Sequence, residues 1–377
     1  MNILAIKKPK SLAQEFKFIP QIKEKIWENT SQLKLNPLFP KDNIEKAWQR
    51  AIKKPKHTLI YFCRYQGKPS VYKALILDQP VSCWGFERNI KISQALEKIV
   101  SFFPTKILKF DLNSDLKYLI HQYFSGQDYL VQDYNSQDLE IIIAGLLGWQ
   151  SSPKIPPEIK KATIIGPDAQ LYPQNYKLDL AWIKFYLSQI GELLENPQKI
   201  VEFIEKFGPE IDLYRNKLCH GDLTPVNILL DRKSKKVHFI DYEYTRVDHF
   251  AWDIANFYFI AWERPEIQIE FLKKYLKKVK NQSNFWQLLQ YQIIFDMTMM
   301  AYYALMEAQN ELKKLKNKEQ KKKALKHWQS CFWMSEIRLN EVLKDPKKLL
   351  EIPKTRQYKK SKFDDSLIAK NLNFKEI

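Results

Sequence analysis

With 377 residues, 45% of them hydrophobic and 14% aromatic, the chain is long enough for two lobes with substantial cores around a shared cleft, and its nine glycines favour a helix-rich body. No apolar run approaches the length of a membrane span, and the apolar start Ile3 to Ile6 is too short for a secretory signal, so a cytoplasmic protein is expected. A net charge of +18 allows weak contact with anionic surfaces through basic segments, but no nucleic-acid reading motif accompanies it, so no specific nucleic-acid partner is expected.

In chain order, residues 1–44 read as an N-terminal extension and 45–121 as a first lobe that covers a ligand. The stretch from Trp48 to His57 is basic and contains no glycine. Thr58 to Tyr65 and Ser70 to Leu77 are strand-like runs of aromatic and aliphatic residues, separated by the turn Gln66 to Pro69. Period-two alternation puts Val71, Lys73 and Leu75 on one face, where an ammonium is costly unless it meets a carboxylate or phosphates. Gly85 opens a stretch with helical apolar spacing at Ile92, Leu96 and Ile99. Leu116 onward reads as a strand running into a hinge, where Gly126 supplies a backbone angle that other residues avoid.

Residues 122–353 form the second lobe. Ser151 to Glu158 is a Pro-rich loop, and helical periodicity follows over 179–194, 197–207, 250–262, 266–279, 285–312 and 319–343. The Lys313 to Lys323 run is a solvated helix end or turn, and 354–377 is a polar, basic tail without a period, for which partial disorder is expected. Cys63, Cys83, Cys219 and Cys331 have neither zinc-site spacing nor disulfide density, so free thiols are expected.

The most informative passage lies between these helices: His220-Gly-Asp222-Leu-Thr-Pro-Val-Asn227, then Val237-His-Phe-Ile-Asp241-Tyr-Glu243-Tyr244. Moving a phosphoryl group from ATP requires a carboxylate beside the attacking hydroxyl and oxygen ligands that hold Mg²⁺ against the phosphates. Asp222 fits the first role, and Asn227 with Asp241 the second, while His220 holds the loop in shape. Asn227 to Asp231 and Val237 to Asp241 read as a hairpin around the turn Arg232 to Lys236, which brings both metal ligands to one end.

These residues resemble the choline/ethanolamine kinase branch of the aminoglycoside phosphotransferase superfamily, small-molecule relatives of the protein kinases. Asp241-Tyr-Glu243-Tyr244 and Phe250-Ala-Trp-Asp253-Ile-Ala-Asn256 are similar to signatures of that branch. The resemblance implies an α+β, bilobal protein-kinase-like fold with a small antiparallel-sheet N-lobe and a larger helical C-lobe. It implies ATP and Mg²⁺ as cofactors, Lys73 on the phosphates with Glu87 as its partner, and the adenine held by backbone groups near Gln122 and Phe124. Asp253 is implied to hydrogen-bond the catalytic loop. The missing glycine-rich loop leaves phosphate cover to backbone groups of a stiffer turn or to Lys53, Lys54 and Lys56.

For the acceptor, the resemblance implies an aromatic cage for an ammonium group. Tyr303 matches one wall, Met300 stands where an aromatic is expected, and Trp262 with Glu263 supplies another wall and a negative charge. Thr224 lies where it can touch the acceptor. Glu243 fits a substrate-facing group, a third metal neighbour or a loop-ordering acceptor. The expected activity is an ATP-dependent kinase of choline or ethanolamine. An amino-sugar kinase and a catalytically silent kinase-like binding protein are the alternatives.

Overall fold

The computed structural model describes residues 21–53, 58–76, 80–97, 106–152, 154–168, 170–279 and 284–353. The side chain of Lys53, together with Lys54, Lys56 and the 354–377 tail, lies outside them.

The first lobe is built on a five-stranded antiparallel sheet. It contains α1 (Ile22–Gln32), β1 (Asn36–Pro37), α2 (Ile44–Lys53), β2 (Thr58–Tyr65), β3 (Lys68–Leu75), α3 (Pro80–Glu97), β4 (Ile107–Asp111) and β5 (Tyr118–Gln122), with sheet order β1-β2-β3-β5-β4. The hairpin turn is the pair Gln66-Gly67, both at positive φ, so the second strand begins two residues earlier than the sequence suggests. Alternation sorts the faces as expected. Tyr72 and Ala74 pack with Tyr61, Ile120 and the helices α1 and α2, while Leu75, Leu119, Phe86 and Ile90 form the core beneath α3.

Within the 1–44 extension, residues 21–44 pack onto the lobe: Ile22 and Ile26 of α1 are buried in its core, and β1 extends its sheet. The connection from β1 to β2 is occupied by α2, whose period-3.6 apolar positions Ala47, Trp48 and Ala51 face that same core.

The second lobe begins with β6 (Gln127–Asp128), α4 (Ser136–Gln150), α5 (Pro157–Lys160), β7 (Ile164–Ile165) and β8 (Leu171–Tyr172). Two helices follow, α6 (Tyr176–Ile190) and α7 (Pro197–Ile211), then the short strands β9 (Lys217–Cys219), β10 (Ile228–Asp231), β11 (Lys236–Phe239) and β12 (Arg246–Asp248). The lobe closes with α8 (Ala251–Ile260), α9 (Pro265–Lys278), α10 (Phe285–Lys314) and α11 (Lys318–Val342). The six expected helices are all present. Helix α4 was not foreseen, although Asn135 and Asp138 form a capping box at its start.

Helix α4 supports the hairpin β10/β11. Asp138 receives Arg232 from the hairpin turn at 2.7 and 2.9 Å, and Arg232 also stacks 3.8 Å from the Tyr129 ring centre. Gly145 lets the helix lie against β11, since a Cβ there would stand 2.2 Å from Val237 Cγ1. Below the loop, Arg215 is buried among Asp179, Asp212 and Asp248, tying α6 and α7 to β12; removing one partner of such a pair costs about 3–5 kcal/mol. None of the four cysteines is in a disulfide.

Candidate active site

The site starts from the pairing of β9 with β12, which sets the 220–227 loop beside the 241–245 turn. Gly221 makes this approach possible. Its φ is +87°, and a Cβ there would stand 2.1 Å from the carbonyl oxygen of Tyr244.

Every early backbone donor of the loop has a partner. Asp253, fully buried in the first turn of α8, accepts the N–H of His220 at 2.9 Å and of Gly221 at 3.0 Å. Burial raises its pKa to about 6. Asn256, one turn further on, accepts the N–H of Leu223. The His220 ring is buried and held neutral, its pKa lowered to about 4 by desolvation. Its Nε2 donates to the Ile240 carbonyl at 2.9 Å, and Nδ1 accepts the Asp222 N–H at 3.3 Å. His220 thus bridges the 220–227 loop and the end of β11.

The hairpin forms with Ile228 opposite Phe239 and Asp231 opposite Lys236, and Ile240 N–H donates to the Asn227 carbonyl at 3.0 Å. Asn227 and Asp241 therefore stand at the same end. The Asn227 Nδ2 donates to both the carbonyl and the Oδ2 of Asp222, at 3.0 and 2.9 Å. Asp241 adopts a left-handed conformation, φ 69° and ψ 74°, a strained geometry for a non-glycine residue that the surroundings must hold.

Two side chains from the first lobe reach Asp241. Lys73 Nζ lies 3.3 Å from its Oδ1, and Asn89 Nδ2 donates to the same oxygen at 2.9 Å while Asn89 Oδ1 accepts the Tyr242 N–H at 3.2 Å. Against its burial, which raises it, the Asp241 carboxyl is lowered on balance by Lys73 and the nearby imidazoles. One residue earlier, Arg88 is buried and donates to three backbone carbonyls: Glu243 at 2.6 Å, Thr245 at 2.7 Å and Thr163 at 3.1 Å. Neither Arg88 nor Asn89 was singled out from the sequence. Their one available signal was that both are polar residues amid apolar α3 positions.

Several expected neighbours are elsewhere. Glu87 does not meet Lys73; on the flank of α3 it pairs with Lys117 of the 116–118 stretch at 2.7 Å. The N–H of Gln122 is spent on the Lys106 carbonyl, and the Phe124 ring lies against His238, with centroids 3.4 Å apart. Gly126 has no positive φ. Its lack of a side chain instead allows close packing, because a Cβ would stand 2.5 Å from the Phe124 ring and 3.0 Å from Leu229 Cβ.

Trp262 and Glu263 lie roughly 13 Å along the α8 direction from Asp253 and contact α11. Trp262 packs on His327 at 5.4 Å between ring centres, and Glu263 lies 3.2 Å from the same imidazole. Met300 is buried in the C-lobe core. Tyr303 is 47% exposed, and the charge of Asp222 is, after burial, a cause of its raised pKa. Beside it, Tyr302 packs on Phe185 and Tyr186 of α6 at 5.6 and 5.2 Å, an aromatic wall the sequence did not reveal. Thr224 is half-buried at the start of the turn that carries Asn227.

The carboxylates load the site with negative charge. Burial first, and Asp241 second, raise Asp222 to about 6 and push Glu243 upward as well. A cation relieves that repulsion. No group of three His, Cys, Asp or Glu side chains suited to a metal is preassembled among the described residues. The available set of Asp241 and the Asn227 amide oxygen still fits Mg²⁺, which takes one or two protein oxygens and completes its shell with water and phosphate.

The sequence model of the choline/ethanolamine kinase family matches residues 119–345. Probable ethanolamine kinase B of Dictyostelium discoideum is 33% identical over 104 residues, covering 25% of this chain and 22% of that protein. Ethanolamine kinase 1 of Mus musculus is 28% identical over 123 residues, covering 30% and 28% respectively, so the matched stretch spans well under a third of either relative. A solved aminoglycoside phosphotransferase, APH(4)-Ia in ternary complex with ADP and hygromycin B, aligns over 86% of this chain and 98% of its own with a TM-score of 0.54 at 10% identity. That likeness shows a shared bilobal α+β kinase-like fold.

Proposed function

The chain belongs to the choline/ethanolamine kinase family, and from that premise we propose that it transfers the γ-phosphoryl group of ATP to the hydroxyl of a small amino alcohol, choline or ethanolamine. The observation that carries this reading is the meeting of Asp222, Asn227 and Asp241 at one end of the hairpin, with Lys73 of the other lobe 3.3 Å from Asp241.

Asp222 is the base that accepts the hydroxyl proton of the acceptor. With a pKa of about 6, it is ionised at neutral pH yet basic enough to take a proton in the transition state. Asn227 holds one of its oxygens, which leaves the other to face the hydroxyl. His220, Asp253 and Asn256 fix the loop and take no proton from the acceptor. Asp241 and Asn227 would hold Mg²⁺, which when bound supplies neutralisation of the phosphate charge. Lys73 provides a second positive charge for the phosphates, and Asn89 keeps the Asp241 carboxylate aimed.

For the acceptor, Tyr303, Tyr302 and Phe185 offer ring faces that attract an ammonium group, and Asp222, whose charge acts on Tyr303, supplies negative charge. Trp262, Glu263 and Met300 have no part in this wall.

The test is Mg²⁺-dependent ADP release with choline, ethanolamine, amino sugars and other small alcohols, run beside Asp222→Asn. Turnover that needs choline or ethanolamine and disappears in the variant is expected. Turnover with amino sugars alone would move the acceptor to the antibiotic-modifying class, and the absence of both turnover and Mg²⁺-dependent thermal stabilisation by ATP would leave a silent binding scaffold.

A further inference from the structure

We propose that the tip of the α10/α11 hairpin is a docking surface for an anionic lipid bilayer. Positions 313 to 326 carry eight lysines against Glu319 alone, in a chain whose whole net charge is +18. Seven of these lysines are exposed, and none forms an ion pair among the described residues. Elsewhere the fold pairs its lysines readily, as in Lys184 with Glu205, Lys274 with Glu140 and Lys348 with Glu351. Among the described residues, the tip concentrates positive charge and leaves it unneutralised.

The geometry keeps that charge outward. Asn317 caps α11 by accepting the N–H groups of Glu319 and Gln320 at 2.8 and 3.2 Å, which fixes the helix start. Lys318, Lys322 and Lys326 then follow one another at four-residue spacing along one face. The opposite face is turned inward by buried Ala324 and by Trp328, whose Nε1 donates to Glu311 of α10 at 2.7 Å.

The chemistry of the tip favours a bilayer over nucleic acid. It contains no arginine, the side chain that forks onto phosphates and stacks on bases, and none of its large apolar residues is exposed as a stacking platform. Point charges on flexible stems are sufficient for a negatively charged headgroup plane, and clusters of four to eight such charges are what that plane attracts. Half-buried Leu315 sits in the turn between the lysines and packs back against the C-lobe core, which holds the tip in shape. Along α10, Tyr303 lies about 17 Å from this end, so a docked bilayer leaves the candidate active site open. The proposal is independent of the phosphotransfer reading.

The test is flotation of the full chain with vesicles of phosphatidylcholine alone and of phosphatidylcholine containing about one third phosphatidylserine. Binding to the second only, abolished by high salt, is expected. A variant with Lys318→Ser, Lys322→Ser, Lys323→Ser and Lys326→Ser should bind about a hundredfold or more weakly while its thermal midpoint is kept. A variant with Lys46→Ser, Lys177→Ser, Lys199→Ser and Lys233→Ser, which removes the same charge from other exposed positions, should lose far less. Equal binding to both vesicle types, or equal loss in both variants, would overturn the proposal. So would displacement of the vesicles by single-stranded RNA at lower concentration than the lipid.

Discussion

The β10/β11 hairpin and helix α3 approach the same carboxylate from opposite lobes, and they differ in how their residues are chosen. On the hairpin, Asp222, Asn227 and Asp241 are brought together by short local spacing and by strand register, with Ile228 opposite Phe239. On α3, Arg88 and Asn89 act on residues more than 150 positions away, and only the docking of the helix decides which of its polar side chains arrive. Chemistry carried within one stretch is written in spacing, whereas chemistry assembled between lobes is written in packing angles.

The sharpest break in that comparison is Asp222→Asn, expected to cut turnover by about 10²–10⁴-fold with little loss of stability; retained turnover would remove the hairpin from the reaction. Next is Gly221→Ala, where a left-handed backbone and a clash with a backbone oxygen should together cost about 3 kcal/mol in urea unfolding. Asn89→Ala should lower kcat about 10–100-fold and raise the Mg²⁺ concentration needed for half-maximal rate, while ATP binding without metal stays the same. An unchanged Mg²⁺ requirement would reduce α3 to packing.

Smaller is the pH effect. Because the pKa of Asp222 is raised and the ionised form is the base, kcat/KM should be level above about 6 and fall about tenfold per unit below it. A profile that instead breaks near 4 would place the acceptor proton elsewhere. Smallest is Glu87→Gln, which touches only a partly exposed pair with Lys117 and should change stability by under about 1 kcal/mol and kcat not at all.

Much of the fold was legible. The first hairpin, the catalytic hairpin and six C-lobe helices all announce themselves by period and turn chemistry, and the alternation that singled out Lys73 puts it on the face that meets Asp241. Glu87 was misassigned because a helix carries several acidic and amide side chains, and sequence gives no rotation angle about its axis. Gly126 was misread for a related reason: a glycine required by a neighbouring ring looks the same in sequence as one required by its own φ. Trp262 and Glu263 followed the resemblance past the end of α8, but that helix meets the site at its first turn, and the turn after it contacts α11. The packing of residues 21–44 onto the first lobe was not legible, since the strand in that segment is only two residues long and contains a proline.

Arg88 ends its three bonds on main-chain oxygens, two of them in the 241–245 turn and the third at Thr163, so these bonds follow the path of the backbone rather than the side chains it carries. The clamp itself therefore does not depend on the side chains of Glu243 and Thr245, although Thr245 is fully buried and is held by its surroundings as well. At position 88 the reverse holds, because no other residue offers a planar fork wide enough to span three carbonyls. Among relatives that keep this architecture, the arginine should therefore persist.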